Sequence, residues 1–127
     1  DYCGMARSES GLTQALELLA ELRHEYERGV KIPGGLDEYN PELEKAWRVA
    51  DFIELGELMA HDAKERKESC GGHFREEFQT SEGEALRNDE AFAFVAAWEF
   101  HGKEAEAILQ KEALNFHDIK LSQRSYK

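Results

Sequence analysis

The sequence predicts a mainly α domain that ends in a β-hairpin-like extension. Three observations carry this. Apolar residues recur at helical spacing over two long stretches, an Asn-Pro pair starts the second of them sharply, and from Ala91 the apolar period shortens to two. Residues 1–75 are expected to form the helical part, and 76–127 the loop, hairpin-like extension and basic tail of the same domain.

The first stretch runs from about Ser10 to Val30. Leu12, Leu16, Leu19, Leu22, Tyr26 and Val30 fall three or four residues apart and mark one apolar helix face. Ser8 and Ser10 both suit an N-cap, because a serine oxygen accepts an orphan backbone N–H. Gly29 and then Pro33-Gly34-Gly35 close the segment. In the second stretch Asn40 is the N-cap and Pro41 takes the first helical position, where a missing donor costs nothing. The pattern continues to about Lys67, which makes a helix roughly 40 Å long at 1.5 Å per residue. Lys64, Arg66 and Lys67 suit its negative end, and Cys70-Gly71-Gly72 are expected to terminate it.

The middle of this second helix is apolar over too wide an arc. Val49, Phe52, Ile53, Leu55, Met59 and Ala60 cover about half the circumference at ~100° per residue, whereas one neighbour needs a stripe of only ~100°. Leu43, Trp47 and Leu58 add to one side. The chain offers just one other long helix, so a packing partner is expected upstream in a parent chain or in another subunit. An isolated chain is expected to self-associate or to expose an apolar patch around Val49, Phe52 and Met59.

From His73 to Glu90 the pattern is lost. Phe74 and Phe78 are the expected anchors of an acidic loop, with Ser81-Glu82-Gly83 as a turn. Between Ala91 and Phe100 the residues Phe92, Phe94, Ala96, Trp98 and Phe100 alternate as in a strand, and Ala93 and Ala97 leave room for a short helix at its start. His101-Gly102-Lys103 reads as a turn. Ile108 to Ile119 has the spacing of a hairpin partner, although Glu104 to Glu112 also reads as a helix by propensity.

Composition narrows the function. The 127 residues suit one domain, and 27 acidic against 16 basic side chains give a net charge of −11. Nucleic acid is excluded as a main partner because phosphate binding needs a basic stripe. An anionic membrane surface is disfavoured on the same ground. The longest apolar run, Ala91 to Trp98, falls far short of the ~20 residues that span a bilayer, and no secretory leader is read at the N-terminus. The acid is unevenly spread: residues 117–127 carry +2, so the rest carries −13. Cys3 and Cys70 form no Cys-x-x-Cys pair and read as free thiols in a reducing compartment.

The chemical candidates gather at one corner. Ser69-Cys70-Gly71-Gly72-His73-Phe74-Arg75-Glu76-Glu77 puts a thiol, an imidazole, a guanidinium and two carboxylates around a glycine hinge. As a zinc site it lacks two ligands, with His61 and a glutamate the only volunteers nearby. As a Cys–His nucleophilic pair it lacks an orienting group and an oxyanion site. The favoured reading is structural, a helix end followed by a docked loop in which His73 and Arg75 satisfy carbonyls or pair with acids. Glu21 with Glu25 and Glu54 with Glu57 are solvated pairs, without the burial a catalytic acid needs. Arg124 and Tyr126 in the tail read either as a frayed terminus or as a basic clip with an aromatic anchor. Neither Gly-x-Gly-x-x-Gly nor a P-loop occurs, so no nucleotide site is expected.

The corner also carries a family resemblance. Glu68 through Glu77, followed by Arg87-Asn88-Asp89-Glu90, resembles the C-terminal helical domain of the succinate dehydrogenase/fumarate reductase flavoprotein subunit of bacteria. Cys3-Gly4-Met5-Ala6-Arg7 with Gly11-Leu12 is similar to the start of that domain. Ala50 to Leu55 with Leu58-Met59 and Asp62-Ala63 is similar to its long second helix, and Lys120 to Lys127 to its terminus. The resemblance covers essentially the whole chain. The common corner reads Ser-Arg-Gly-Ala-His; here Cys70 and Gly72 replace the arginine and the alanine, as in a subgroup of bacterial subunits, so no role of that arginine carries over.

This resemblance implies a spectrin-repeat-like helical bundle in which two long antiparallel helices pack with a third lying upstream. It implies FAD in the parent subunit and no cofactor, metal or catalytic residue in this chain. The implied partners are the upstream FAD-binding domain and an iron–sulfur subunit, on the cytoplasmic side of the bacterial inner membrane. The parent would interconvert succinate and fumarate, and this part would act as a scaffold. Ser69, Gly71, His73, Arg75, Arg124 and Tyr126 become the residues expected to dock it. Two other readings stay open: an independent helical interaction module, and the C-terminal domain of a related flavoprotein such as L-aspartate oxidase.

Overall fold

A computed structural model describes residues 1–102 and 105–122 of the chain. Helix α1 spans Glu9–Gly29 and helix α2 spans Pro41–Glu65. A single turn, α3 (Asp89–Phe92), leads into strand β1 (Phe94–Glu99), which pairs antiparallel with β2 (Ile108–Ala113) from Phe94↔Ala113 to Glu99↔Ile108. The domain is thus mainly helical with a C-terminal hairpin, as the periodicity predicts.

Both long helices start where capping chemistry places them. Ser8, of the two serines considered, accepts the Gly11 N–H at 3.1 Å. Asn40 Oδ1 accepts from Glu42 and Leu43 while its Nδ2 donates back to the Pro33 and Gly35 carbonyls, so one side chain caps α2 and fastens the preceding loop. The helices run antiparallel. Tyr26 Oη donates to the Ala46 carbonyl at 2.7 Å, Leu19 lies against Gly56, and Glu9 faces Lys64 at the far end. Arg23 pairs with Glu57 between them, so Glu57 is engaged with the other helix rather than with Glu54.

The buried core is small: Leu12, Ala15, Ile53, Ala60 and Ala63. Alanines let the two helices approach closely, but most of the larger apolar residues of α2 are left exposed. Of the wide arc only Ile53 and Ala60 are buried, while Val49, Phe52, Leu55 and Met59 stay exposed, Phe52 at 65%. The hairpin reaches α2 through Trp98, whose indole donates to Asp62 Oδ1 at 2.8 Å and meets His61 edge-on at 4.5 Å. Phe94, Ala96 and Trp98 form the inward face of β1, as their period of two requires.

Two expectations are corrected. Helix α2 stops at Glu65, and Cys70-Gly71-Gly72 do not end it; Arg66 is already extended, and the last carbonyls are capped by Arg75 from beyond the turn. The glycines serve a later turn instead. The second extended stretch ends at Ala113 rather than Ile119, and residues 108–112 of the rival helical reading are strand because they pair with β1. Lys103 and Glu104 lie outside the described residues.

Candidate functional site: the corner after α2

The corner is held first by backbone. Ser69 donates its N–H to the Leu86 carbonyl, and Cys70 and His73 exchange both hydrogen bonds, at 2.8 and 3.0 Å. This closes a two-residue turn over Gly71 and Gly72, and Gly71 takes φ +59°, the left-handed region that glycine enters freely. The Ser69 hydroxyl accepts from the Arg75 N–H at 2.8 Å and donates to the Arg75 carbonyl at 3.2 Å. Ser69 is fully buried, so its side chain stands in for a missing strand partner. On the other side Arg7 donates its N–H to Phe74, and Glu76 donates to the Arg7 carbonyl. The segment before α1 is thereby stitched to the corner.

Arg75 is the hub. Its side chain is 1% exposed, yet four of the five N–H donors of a guanidinium find partners. Nη1 donates to the Ala63 and Lys64 carbonyls, Nη2 to Glu9 Oε2 at 2.7 Å and Nε to Glu77 Oε2 at 3.1 Å. Its guanidinium also sits 5.5 Å from the Phe78 ring. One cation thus covers the negative end of α2 and ties it to the start of α1. Glu77 completes the link by accepting the Glu9 N–H. Partial burial works to raise the Glu77 pKa, but the bonds from Glu9 N–H and Arg75 outweigh it and hold the carboxyl below its usual range.

A second buried charge mirrors the first. Glu68, 2% exposed, accepts from Arg66 at 2.9 Å and from the Asn88 N–H at 2.8 Å. Arg66 also donates to the Phe92 carbonyl and lies 6.0 Å from the Phe92 and Phe94 rings. Arg87 pairs with Asp89 and donates to the Ser122 carbonyl at 2.9 Å, fastening the segment that follows the hairpin.

His73 fills the remaining gap. Its Nε2 is 2.9 Å from the Arg66 carbonyl and its Nδ1 is 2.9 Å from Arg7 Nη1. A carbonyl only accepts and a guanidinium only donates, so the ring is neutral with its proton on Nε2. Burial pushes its pKa below the ordinary histidine value; the Arg66 carbonyl opposes this, and the cations Arg7, Arg75 and Arg66 add to it.

Ser69, Gly71, His73 and Arg75 thus come together, three turned inward and Gly71 exposed at the tip. Arg124 and Tyr126 lie outside the described residues. Arg7, Glu9 and Glu68 complete the constellation without having been singled out as site residues in the sequence, and Arg66, read there only as a cation at the end of α2, joins them. Glu68 and Arg7 sit inside the stretches that carry the resemblance, but nothing local pairs Arg7 with a histidine 66 positions on. Among the described residues no three His, Cys, Asp or Glu side chains gather to hold a metal ion, and both cysteines are free.

The family model of the fumarate reductase flavoprotein C-terminal region matches residues 1–126. The chain belongs to that family. It is similar to an uncharacterized FAD-dependent oxidoreductase of Methanocaldococcus jannaschii, 32% identical over 66% of this chain and 14% of that protein. The fumarate reductase flavoprotein subunits of a Serratia species and of Escherichia coli are 34% and 33% identical, each over 58% of this chain and 12% of the relative. Among solved structures, a variant of the E. coli quinol fumarate reductase superposes on 95% of this chain and 20% of its own, with TM-score 0.78 and 26% identity. A quinol-fumarate reductase with menaquinol molecules superposes on 93% of this chain and 19% of its own, with TM-score 0.76 and 26% identity. The chain therefore spans a fifth or less of the proteins it matches, and it corresponds to their C-terminal domain. No helix among the described residues is long and apolar enough to cross a membrane.

Proposed function

We propose that this chain is the non-catalytic scaffold of a succinate dehydrogenase/fumarate reductase flavoprotein subunit, docking onto the FAD-binding domain. One observation carries the reading: an apolar groove between α1 and α2 stays open although both helices are complete. Ala15, Leu18, Leu19, Gly56 and Ala60 line it, and Asp1, Tyr2 and Cys3 border it. Phe52 and Met59 stand exposed on α2. Fully covering an apolar side chain of this size contributes about 1.5–3 kcal/mol, so a face of this composition favours a partner. An upstream helix of the same polypeptide is the proposed cover. The corner would meet the flavin domain through its exposed Gly71 tip, with Ser69, His73 and Arg75 holding that tip in shape; Arg124 and Tyr126 would add the tail.

Neither long helix of this chain offers a pyrophosphate site at its start. A helix N-terminus holds a pyrophosphate through free N–H groups. At α1 these are taken by Ser8 and the Glu77 carboxylate, and at α2 by Asn40. The flavin and the interconversion of succinate and fumarate are accordingly assigned to the rest of the subunit, and electron acceptance to an iron–sulfur partner on the cytoplasmic side of the inner membrane.

The test is to express the flavin-binding region and this chain as separate polypeptides. Association is expected, weakened at least tenfold by Leu18→Lys or Phe52→Lys at unchanged helicity. The chain alone should show no flavin absorbance and no succinate-dependent dye reduction. Turnover by the chain alone, or no association, overturns the reading.

A further inference from the structure

We propose that His73 is a proton-operated latch: its neutral ring ties Arg7, and with it the segment before α1, to the end of α2, and protonation of the ring releases Arg7. The latch stands whether or not the groove is a docking site.

The geometry leaves the ring one working state. Nε2 must donate to the Arg66 carbonyl, and the Nδ1 lone pair must accept from Arg7 Nη1. A second proton can only go to Nδ1 and occupies that lone pair. Arg7 Nη1 would then face an N–H donor on a cation at hydrogen-bond distance, and the attraction becomes a repulsion.

The surrounding charge leaves this repulsion uncompensated. Three cations face the ring: Arg7 from the segment before α1, Arg66 from the end of α2 and Arg75 from beyond the turn. Arg66 is paired with Glu68, and Arg75 with Glu9 and Glu77. Arg7 alone of the three has no carboxylate partner among the described residues; its remaining side-chain bond is from Nε to the Gly4 carbonyl. Cys70, across the turn, exchanges backbone hydrogen bonds with His73.

Release has a defined consequence. Arg7 also carries the two backbone bonds to Phe74 and Glu76 that stitch its segment to the corner. The same segment begins with Asp1, Tyr2 and Cys3 at the border of the apolar groove. A proton on His73 therefore loosens one side of that groove from a distance.

Three measurements on the 127-residue chain test the latch. Ring ¹⁵N NMR should report the Nε2–H tautomer at pH 7.5 and a titration below that of an ordinary histidine. Amide exchange at Arg7 and Glu76, corrected for intrinsic chemistry, should speed up by up to about tenfold per pH unit as pH falls from the ordinary histidine range toward that lower titration, and level off below it, because one pH unit is a tenfold change in the opening constant while only the open form takes up the proton. His73→Asn supplies a non-titrating side chain and should flatten this dependence. An Nδ1–H tautomer, a titration at or above the ordinary histidine value, or exchange that ignores the titration overturns the latch. Should His73→Asn fail to fold, the tautomer and the coincident exchange decide alone.

Discussion

The guanidinium of Arg75 donates to the carboxylate of Glu9 at 2.7 Å across 66 positions of sequence, and it does so while also holding the last carbonyls of α2. Removing it opens four hydrogen bonds at once. Arg75→Met fills the space but leaves the Ala63 and Lys64 carbonyls, Glu9 and Glu77 without this donor. Breaking a buried charged network from one side costs on the order of 3–5 kcal/mol. Urea unfolding followed by circular dichroism should show that loss. Arg75→Lys should recover only part of it, since an ammonium lacks the planar fork that reaches both carbonyls and both acids. A loss below about 1 kcal/mol for Arg75→Met contradicts the hub role.

The turn beside this hub separates two glycines of equal appearance. Gly71 sits at φ +59° with open space where a Cβ would go, and Gly72 has the same space but no positive φ. Gly71→Ala should therefore cost about 1 kcal/mol from backbone conformation alone, and Gly72→Ala should stay within about 0.5 kcal/mol. Thermal melts of the two variants check this. Equal effects would mean that something other than the left-handed conformation governs the tip.

How much of this was legible in the sequence depends on the range of the interaction. The caps Ser8 and Asn40, the helices they start and the alternation from Phe94 to Trp98 are local chemistry, and each is readable from neighbouring residues. The end of α2 is different. A local reading puts the stop at Cys70-Gly71-Gly72, but the carbonyls are capped from Arg75, which no helix-end rule finds. The over-wide apolar arc of α2 was readable, and the exposed Phe52 and Met59 are its outcome. Arg7 and Glu68 were not, because their roles exist only once His73 and Asn88 have been brought to them.

Acid should weaken the fold through two carboxyl and imidazole contributions with distinct windows. Glu77 is held below its usual pKa, so its contribution is present above about pH 4.5 and is lost as pH falls through the lower folded value. His73 is likewise held down, so its contribution is present above about pH 6.5 and is lost as pH falls through its own folded value. Stability measured in urea should therefore fall in two steps on acidification. Glu77→Gln should remove the lower step and leave the upper one. A single step unchanged by this substitution would assign acid loss elsewhere.

Trp98 is the described side-chain hydrogen bond from β1 to α2, through Asp62. Trp98→Phe keeps most of the apolar surface and loses the indole donor, which costs about 1 kcal/mol and leaves Asp62 without this partner. The edge contact with His61 weakens with it. Tryptophan emission offers a direct readout because the chain has two tryptophans and Trp47 is exposed. The variant should retain only the red-shifted emission of Trp47, and its hairpin amides should exchange faster while those of α1 do not. Hairpin exchange that matches the parent would show that Trp98 does not anchor the strand pair.

The exposed side of α2 predicts behaviour in solution. Val49, Phe52 and Met59 are 45%, 65% and 52% exposed, and a helix spends no folding energy on side chains left in water. Phe52→Ser should therefore leave stability within about 0.5 kcal/mol, unlike the several kcal/mol expected for truncating a core aromatic. It should, however, reduce any self-association of the chain and its binding of a hydrophobic dye, because both draw on the same uncovered surface. Sedimentation velocity and dye fluorescence read the two effects on one sample. A parent chain that stays monomeric and dark with the dye removes the case for an apolar patch, and a Phe52→Ser variant that unfolds would place that ring in the core.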